Sequence, residues 1–172
     1  MKRSIVKYGS HLLRKHSQEI LPGEDYSSLI KDLFDSLNTN EGIGLAAPQI
    51  GVTKRAFIIA VPIENQSSQE QLLFKRAFVN PSIISVSEEK VIYNEGCLSI
   101  PDIFENVLRP EKVVVNYFDE DYKLIEEKLD GIVARVFQHE FDHLNGILFI
   151  DHINSLKRRL LFNKLNRIKK NR

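Results

Sequence analysis

The chain has 172 residues, 42% of them hydrophobic and 27% charged, with a formal net charge of +1. These are ordinary values for a folded globular protein, and the length suits one domain over residues 1–172. No apolar run approaches the roughly 20 residues of a membrane-spanning helix, and residues 1–9 hold no apolar signal core. A single cysteine, Cys97, excludes an internal disulfide framework and fits a reducing compartment. A cytoplasmic location is therefore expected, with neither membrane nor DNA as a partner.

The small net charge hides an asymmetry. Residues 153–172 carry eight Lys/Arg and no acid, so the first 152 hold 16 basic and 23 acidic groups, a balance of −7. An acidic body with a basic tail points to an anionic partner for the tail, or to a plain solvated face.

Along the chain, residues 26–38 place Leu29, Ile30, Leu33, Phe34 and Leu37 on one helical face, with Asp25 as N-cap. Gly42, Ile43 and Gly44 end that element and open a loop. Residues 55–61 are apolar and β-branched and read as a strand, whereas 62–71 are polar and read as a loop. Residues 83–86, 90–93 and 113–118 read as further strands, and 119–121 as a turn into a short strand near Leu124. Asp130 and Gly131 then cap a helix over about 132–144, with Gly146 just past its end. Asn154 or Ser155 caps a last, basic helix over about 154–170, with Leu156, Leu160, Leu161, Leu165 and Ile168 in one stripe. The expected fold is α+β: a central metal-binding helix surrounded by mostly antiparallel β-sheets, and a C-terminal helix.

Three stretches carry chemistry. On the helix over 132–144, His139 and His143 leave the same face and can grip one metal ion, with Glu140 placed to take a proton from an activated water. The competing reading is a pair of core histidines. Asp142 is expected to buttress a ligand or to pair with Arg135. The second stretch, residues 95–99, presents Cys97 after Gly96, with Pro101 ending the strand. A lone cysteine is often only a small buried hydrophobe. Two imidazoles and a thiolate would leave a fourth tetrahedral position open, as catalytic sites do. His11, His16 and His152 lie in unrelated contexts. The third stretch, residues 42–49, is either a plain turn or a backbone-exposing segment that receives a peptide as an added strand, with the Gln49 amide offered to an oxyanion.

Together, Gly42 to Gln49, Glu95 to Ser99 and Gln138 to Gly146 resemble the three motifs of the peptide deformylase family, in order and with fitting spacing. The likeness extends to residues 5–9, Leu13 and Arg14, and covers about residues 3–150. The short insertions and charged helical tail are similar to one of the two bacterial subclasses. The resemblance implies removal of the formyl group from the N-formyl-methionine of newly made polypeptides. It also implies one divalent metal, natively Fe(II); Zn, Ni or Co also suit Cys/His₂ ligation. By position, it makes Cys97, His139 and His143 the metal ligands and Glu140 the base and then the acid. Gln49 and the Leu98 backbone N–H become oxyanion donors, and Ile43, Gly44 and Gly96 hold the peptide. It further implies docking of the basic tail on the ribosome.

Two positions depart from the family pattern: Asp102, where many members have Gly, and Phe104, where some carry a substrate-contacting arginine. Arg109 is retained. These differences bear on peptide affinity rather than chemistry. The helix motif alone would also permit a general metallopeptidase, and the tail alone an idle ribosome-associated or metal-storing homologue.

Overall fold

The structure, a computed structural model, describes residues 1–64 and 71–170. Helix α1 spans Ser27–Leu37. Asp25 supports its start from one position earlier than expected, its carboxylate accepting the Ser27 N–H at 2.8 Å. Seven strands follow: β1 (Gly44–Ala46), β2 (Ala56–Glu64), β3 (Gln71–Val86), β4 (Lys90–Cys97), β5 (Ile100–Pro110), β6 (Val113–Phe118) and β7 (Leu124–Leu129). Helix α2 spans Gly131–Leu144, and the tail holds α3 (Ser155–Leu160) and α4 (Phe162–Lys170).

The strands form a five-stranded sheet in the order β1-β2-β3-β6-β7 and a separate β4-β5 ribbon, with every pairing antiparallel. Strand β2 explains why its sequence is a continuous apolar run. Phe57, Ile59 and Val61 join the core against α2, while Ala56 and Ile58 face the α1 side with Leu33 and Leu37. A strand covered on both faces has no reason to alternate. Helix α2 lies between the sheet and the ribbon. Its Phe137 packs edge-on against Phe57 and Phe78, and Arg135 and Gln138 donate to the carbonyls of Val91, Val107 and Pro110.

Three expectations are corrected. The expected loop over 62–71 begins and ends in strand: Pro62 pairs with Leu73 and Ile63 with Leu72, so β2 and β3 run on, while 65–70 lie outside the described residues. Pro62 is tolerated because β1 pairs only as far as Ile59, leaving that side of β2 open. Pro101 does not end a strand; it sits inside β5 beside a register shift, where a missing N–H costs little. The final helix is broken at Leu161, and its leucine stripe divides. Leu165 is buried, with Leu161 and Ile168 packed beside it, whereas Leu156 and Leu160 are 66% and 76% exposed. Asn154 is the cap, accepting the Lys157 N–H at 2.8 Å.

Candidate active site

Strand β4 ends at Cys97, and a two-residue turn at Leu98 and Ser99 leads into β5. Docked against α2, this tip brings the Cys97 thiol to 3.3 Å from His143 Nε2. His139 and His143 stand one helical turn apart, ring centroids 5.1 Å from each other. One donor atom from each of Cys97, His139 and His143 lies within 4.8 Å of the other two, so the three form a candidate metal site.

The donor chemistry fits a divalent cation. His139 Nδ1 is 2.9 Å from Glu95 Oε2, leaving its other nitrogen for ligation, the usual support of a metal-binding imidazole. Burial pushes the Cys97 thiol up, but the positive character of His143 and His139 overcomes this and holds it well below its ordinary value. A thiolate is the form that binds metal.

Glu140, on the same helix, is buried, and its Oε2 has no hydrogen-bond partner among the described residues. Burial pushes its carboxyl up to about 7, against the pull of His139 and His143. Gly44 makes room for it: a Cβ there would stand 2.6 Å from Glu140 Oε1 and 2.7 Å from Val136 Cγ1. Gln49 sits in the short 3₁₀ turn after β1. Its Oε1 accepts the Ala46 N–H at 2.8 Å, which directs Nε2 to Ser99 Oγ at 3.3 Å and Cys97 Sγ at 3.4 Å. A cleft of about 510 Å³ opens over these groups, lined by Ile43, Gly44, Gly96, Leu98 and Val136 among others. Strand β1 is an edge of its sheet. At the rim, the 64%-exposed Phe104 lies over Gly96, where a Cβ would meet its ring at 2.4 Å.

Every residue singled out in the sequence for the site is therefore here, with two corrections around it. Asp142 does not pair with Arg135; it binds Arg109 Nη1 at 2.6 Å and His152 Nε2 at 2.7 Å. His152, set aside above, belongs to this network. Sequence reasoning also missed the role of Glu95. Its carboxylate accepts from Arg109 at 2.7 and 3.1 Å and from Arg135 at 2.9 Å, besides meeting His139. The signal was an acid beside a candidate ligand on a strand, but nothing local named its partners.

A thiol and two imidazoles converging beside a buried carboxylate in an apolar cleft define a class, that of hydrolases built for one metal ion. Residues 2–159 match the family described as Polypeptide deformylase. The peptide deformylase of Pseudothermotoga lettingae is 44% identical over 96% of this chain and 91% of its own length. Among solved structures, that of Ehrlichia chaffeensis peptide deformylase has a TM-score of 0.88 at 34% identity, covering 99% of this chain and 98% of its own. The Met-Ala-Ser-bound enzyme of Acinetobacter baumannii has a TM-score of 0.79 at 32% identity, covering 89% and 99%. The chain belongs to the polypeptide deformylase family. It is a metal-dependent hydrolase that removes the N-terminal formyl group from nascent peptides.

Glu95 gives the first prediction. Burial alone would raise its carboxyl, but His139 and Arg109 overcome it and hold it far below the ordinary range. A depressed folded value means that its stabilisation is complete above the ordinary carboxyl value and fades as acid approaches the folded one. Glu95→Gln is expected to lose about 3–5 kcal/mol near neutral pH, because buried Arg135 loses its counter-charge and Arg109 loses one of two. The gap to the parent should narrow below about pH 4, which urea unfolding at a series of pH values measures.

Proposed function

We propose that deformylation is carried out at a metal ion held by Cys97, His139 and His143, with Glu140 moving the proton. One juxtaposition supports this reading: three donor atoms within 4.8 Å of one another, beside a buried carboxylate with an unpartnered oxygen. When bound, the cation supplies Lewis acidity, which brings the pKa of a water down toward about 7. Glu140 takes the proton of the attacking water at its unpartnered Oε2. It then returns that proton to the nitrogen of the departing methionyl amine, so that formate and a free N-terminus result. A carboxyl raised by burial is matched to both halves of this exchange, as base and as acid.

Gln49 and the Leu98 N–H receive the negative charge that builds on the formyl oxygen. With Oε1 held by the Ala46 N–H, the Gln49 amide can turn only its donor end toward the thiol side of the site. One such donor typically lowers the barrier by about 2.7–4 kcal/mol. The edge of β1, at Ile43 and Gly44, holds the peptide as an added strand, with Gly96 on the opposite wall of the cleft. The Met-Ala-Ser seated in the Acinetobacter baumannii relative supports a peptide of this kind as the ligand.

The native ion is Fe(II), with Zn, Ni and Co as substitutes, and the protein acts in the cytoplasm where its substrates are made. Helices α3 and α4 carry seven of the eight basic residues of the tail, and Leu156, Leu160 and Phe162 are exposed beside them. That combination of cationic and apolar surface suits the ribosome.

Four outcomes are expected. Glu140→Ala should retain its metal, by metal analysis, yet release no formate from a formyl-Met peptide; full activity would remove Glu140 from its role. In the parent, turnover should fall on acidification below about 7, since a protonated Glu140 cannot accept a proton. Protein purified anaerobically should contain iron and lose formate release rapidly in air, through oxidation of the metal or of Cys97, whereas indifference to air would favour another ion. Finally, a chain ending at residue 152 should no longer pellet with ribosomes while the full chain does.

A further inference from the structure

The tip of the β4-β5 ribbon is held from outside. Two-residue hairpin loops favour turns with positive φ at their first central residue, because those match the twist of the strands. Neither Leu98 nor Ser99 has positive φ. The ladder below is also interrupted: its register shifts between Gly96 and Cys97. The conformation of the tip therefore depends on tertiary bonds, and the N-terminal segment supplies them. Tyr8 N–H donates to Ser99 O at 2.8 Å, and Lys7 Nζ donates to Leu98 O at 2.9 Å. One residue earlier, Val6 N–H donates to Gln49 O at 2.8 Å. Three consecutive residues thus lace together the two backbone segments that carry Gln49 and Leu98.

Within this lacing, the Lys7 bond stands apart. It is charge-assisted, comes from a side chain that also lines the cleft, and grips the central peptide of the turn. Resting on the proposal that the Leu98 N–H receives the formyl oxygen, we infer that Lys7 is a positioning residue for deformylation, fixing the Leu98–Ser99 turn so that this donor faces the substrate. Without the ammonium, the Leu98 carbonyl is released and the residue can turn about Cys97 ψ and Leu98 φ, which swings the 97–98 peptide that carries this N–H. The donor then loses part of its preorganisation, on which oxyanion stabilisation depends. Because Val6 and Tyr8 bond through backbone groups, they persist when the Lys7 side chain is changed.

The test compares Lys7→Met, Lys7→Gln and Lys7→Arg with the parent, all metal-loaded, on a formyl-Met peptide. Lys7→Met should lower kcat about tenfold, the order of one charge-assisted hydrogen bond, with KM and bound metal unchanged. Lys7→Arg, which keeps a cationic donor, should recover most of the loss, and Lys7→Gln should fall between. In the zinc-loaded protein, the Leu98 and Ser99 amide resonances should broaden in Lys7→Met and sharpen again in Lys7→Arg. Unchanged kcat in Lys7→Met, a rise in KM alone, or an Arg variant no better than Met would each overturn the inference. Glu140→Ala assayed alongside separates the two readings. If it is inactive while Lys7→Met is fully active, only the role of Lys7 fails; if it is active, the reading of the site fails.

Discussion

The Glu95 carboxylate is the interaction on which the rest of the site depends. It is buried where β4, β5 and α2 meet, and it receives Arg109 from β5, Arg135 from α2 and the His139 ring. Burying two guanidinium groups is costly unless each has a counter-charge. Glu95 serves both, and Asp142 gives Arg109 a second one, with His152 at its outer side. The same bonds therefore dock the ribbon on the helix and orient a histidine of the candidate metal site. Once the ribbon is docked there, its tip carries Cys97 to His143. A bond that holds the fold together is also one that assembles the candidate metal site.

A second constraint is the close approach of β1 to α2. Gly44 lies so near Glu140 that no side chain fits between them. This contact contributes to the burial that raises the Glu140 carboxyl, and it places the edge of the sheet along the cleft. Burial of the carboxyl and exposure of the sheet edge to the cleft thus come from one packing event. A further apolar cluster runs along the ribbon from its tip, with Ile100 and Cys97 at that end. Leu165 of α4 packs with Leu13, Ile103 and Val107, which ties the inner face of the tail to β5 and the N-terminal segment.

Helices α1 and α2 were legible because a helical pattern is local: α1 is buried on one side, and α2, covered on both, still repeats its apolar residues at helical spacing. Alpha-helical spacing in residues 26–38 and 132–144 gave elements within a residue or two of Ser27–Leu37 and Gly131–Leu144. Strand β2 was legible because both of its faces are covered. Strand β5 was not, because Asp102, Glu105 and Arg109 interrupt its apolar residues and prolines stand near both ends. Its inward positions include a buried arginine, a choice that makes sense only beside Glu95. Glu64 and Gln71 at the facing ends of β2 and β3, with Pro62 nearby, hid the extension of both strands, since exposed strands need not be apolar. Asp142 was mispaired for a related reason. Arg135 is on its own helix, but its actual partners stand 33 positions before it and 10 after it in the chain.

By itself the sequence determined what short spacing can determine. His139, Glu140 and His143 share a helix, so the period of that helix alone puts the two rings on one face with the carboxylate beside them. Motif order and resemblance then pointed to the family and to Cys97, Gln49 and Leu98. What only the tertiary structure decided is the set of contacts between distant segments: Glu95 on His139, Gly44 against Glu140, Lys7 on Leu98 and Arg109 on Asp142. These arise when apolar faces are buried and the remaining polar groups must find partners within reach. The partner of a buried charge is set by that three-dimensional competition, and no spacing along the chain records its outcome.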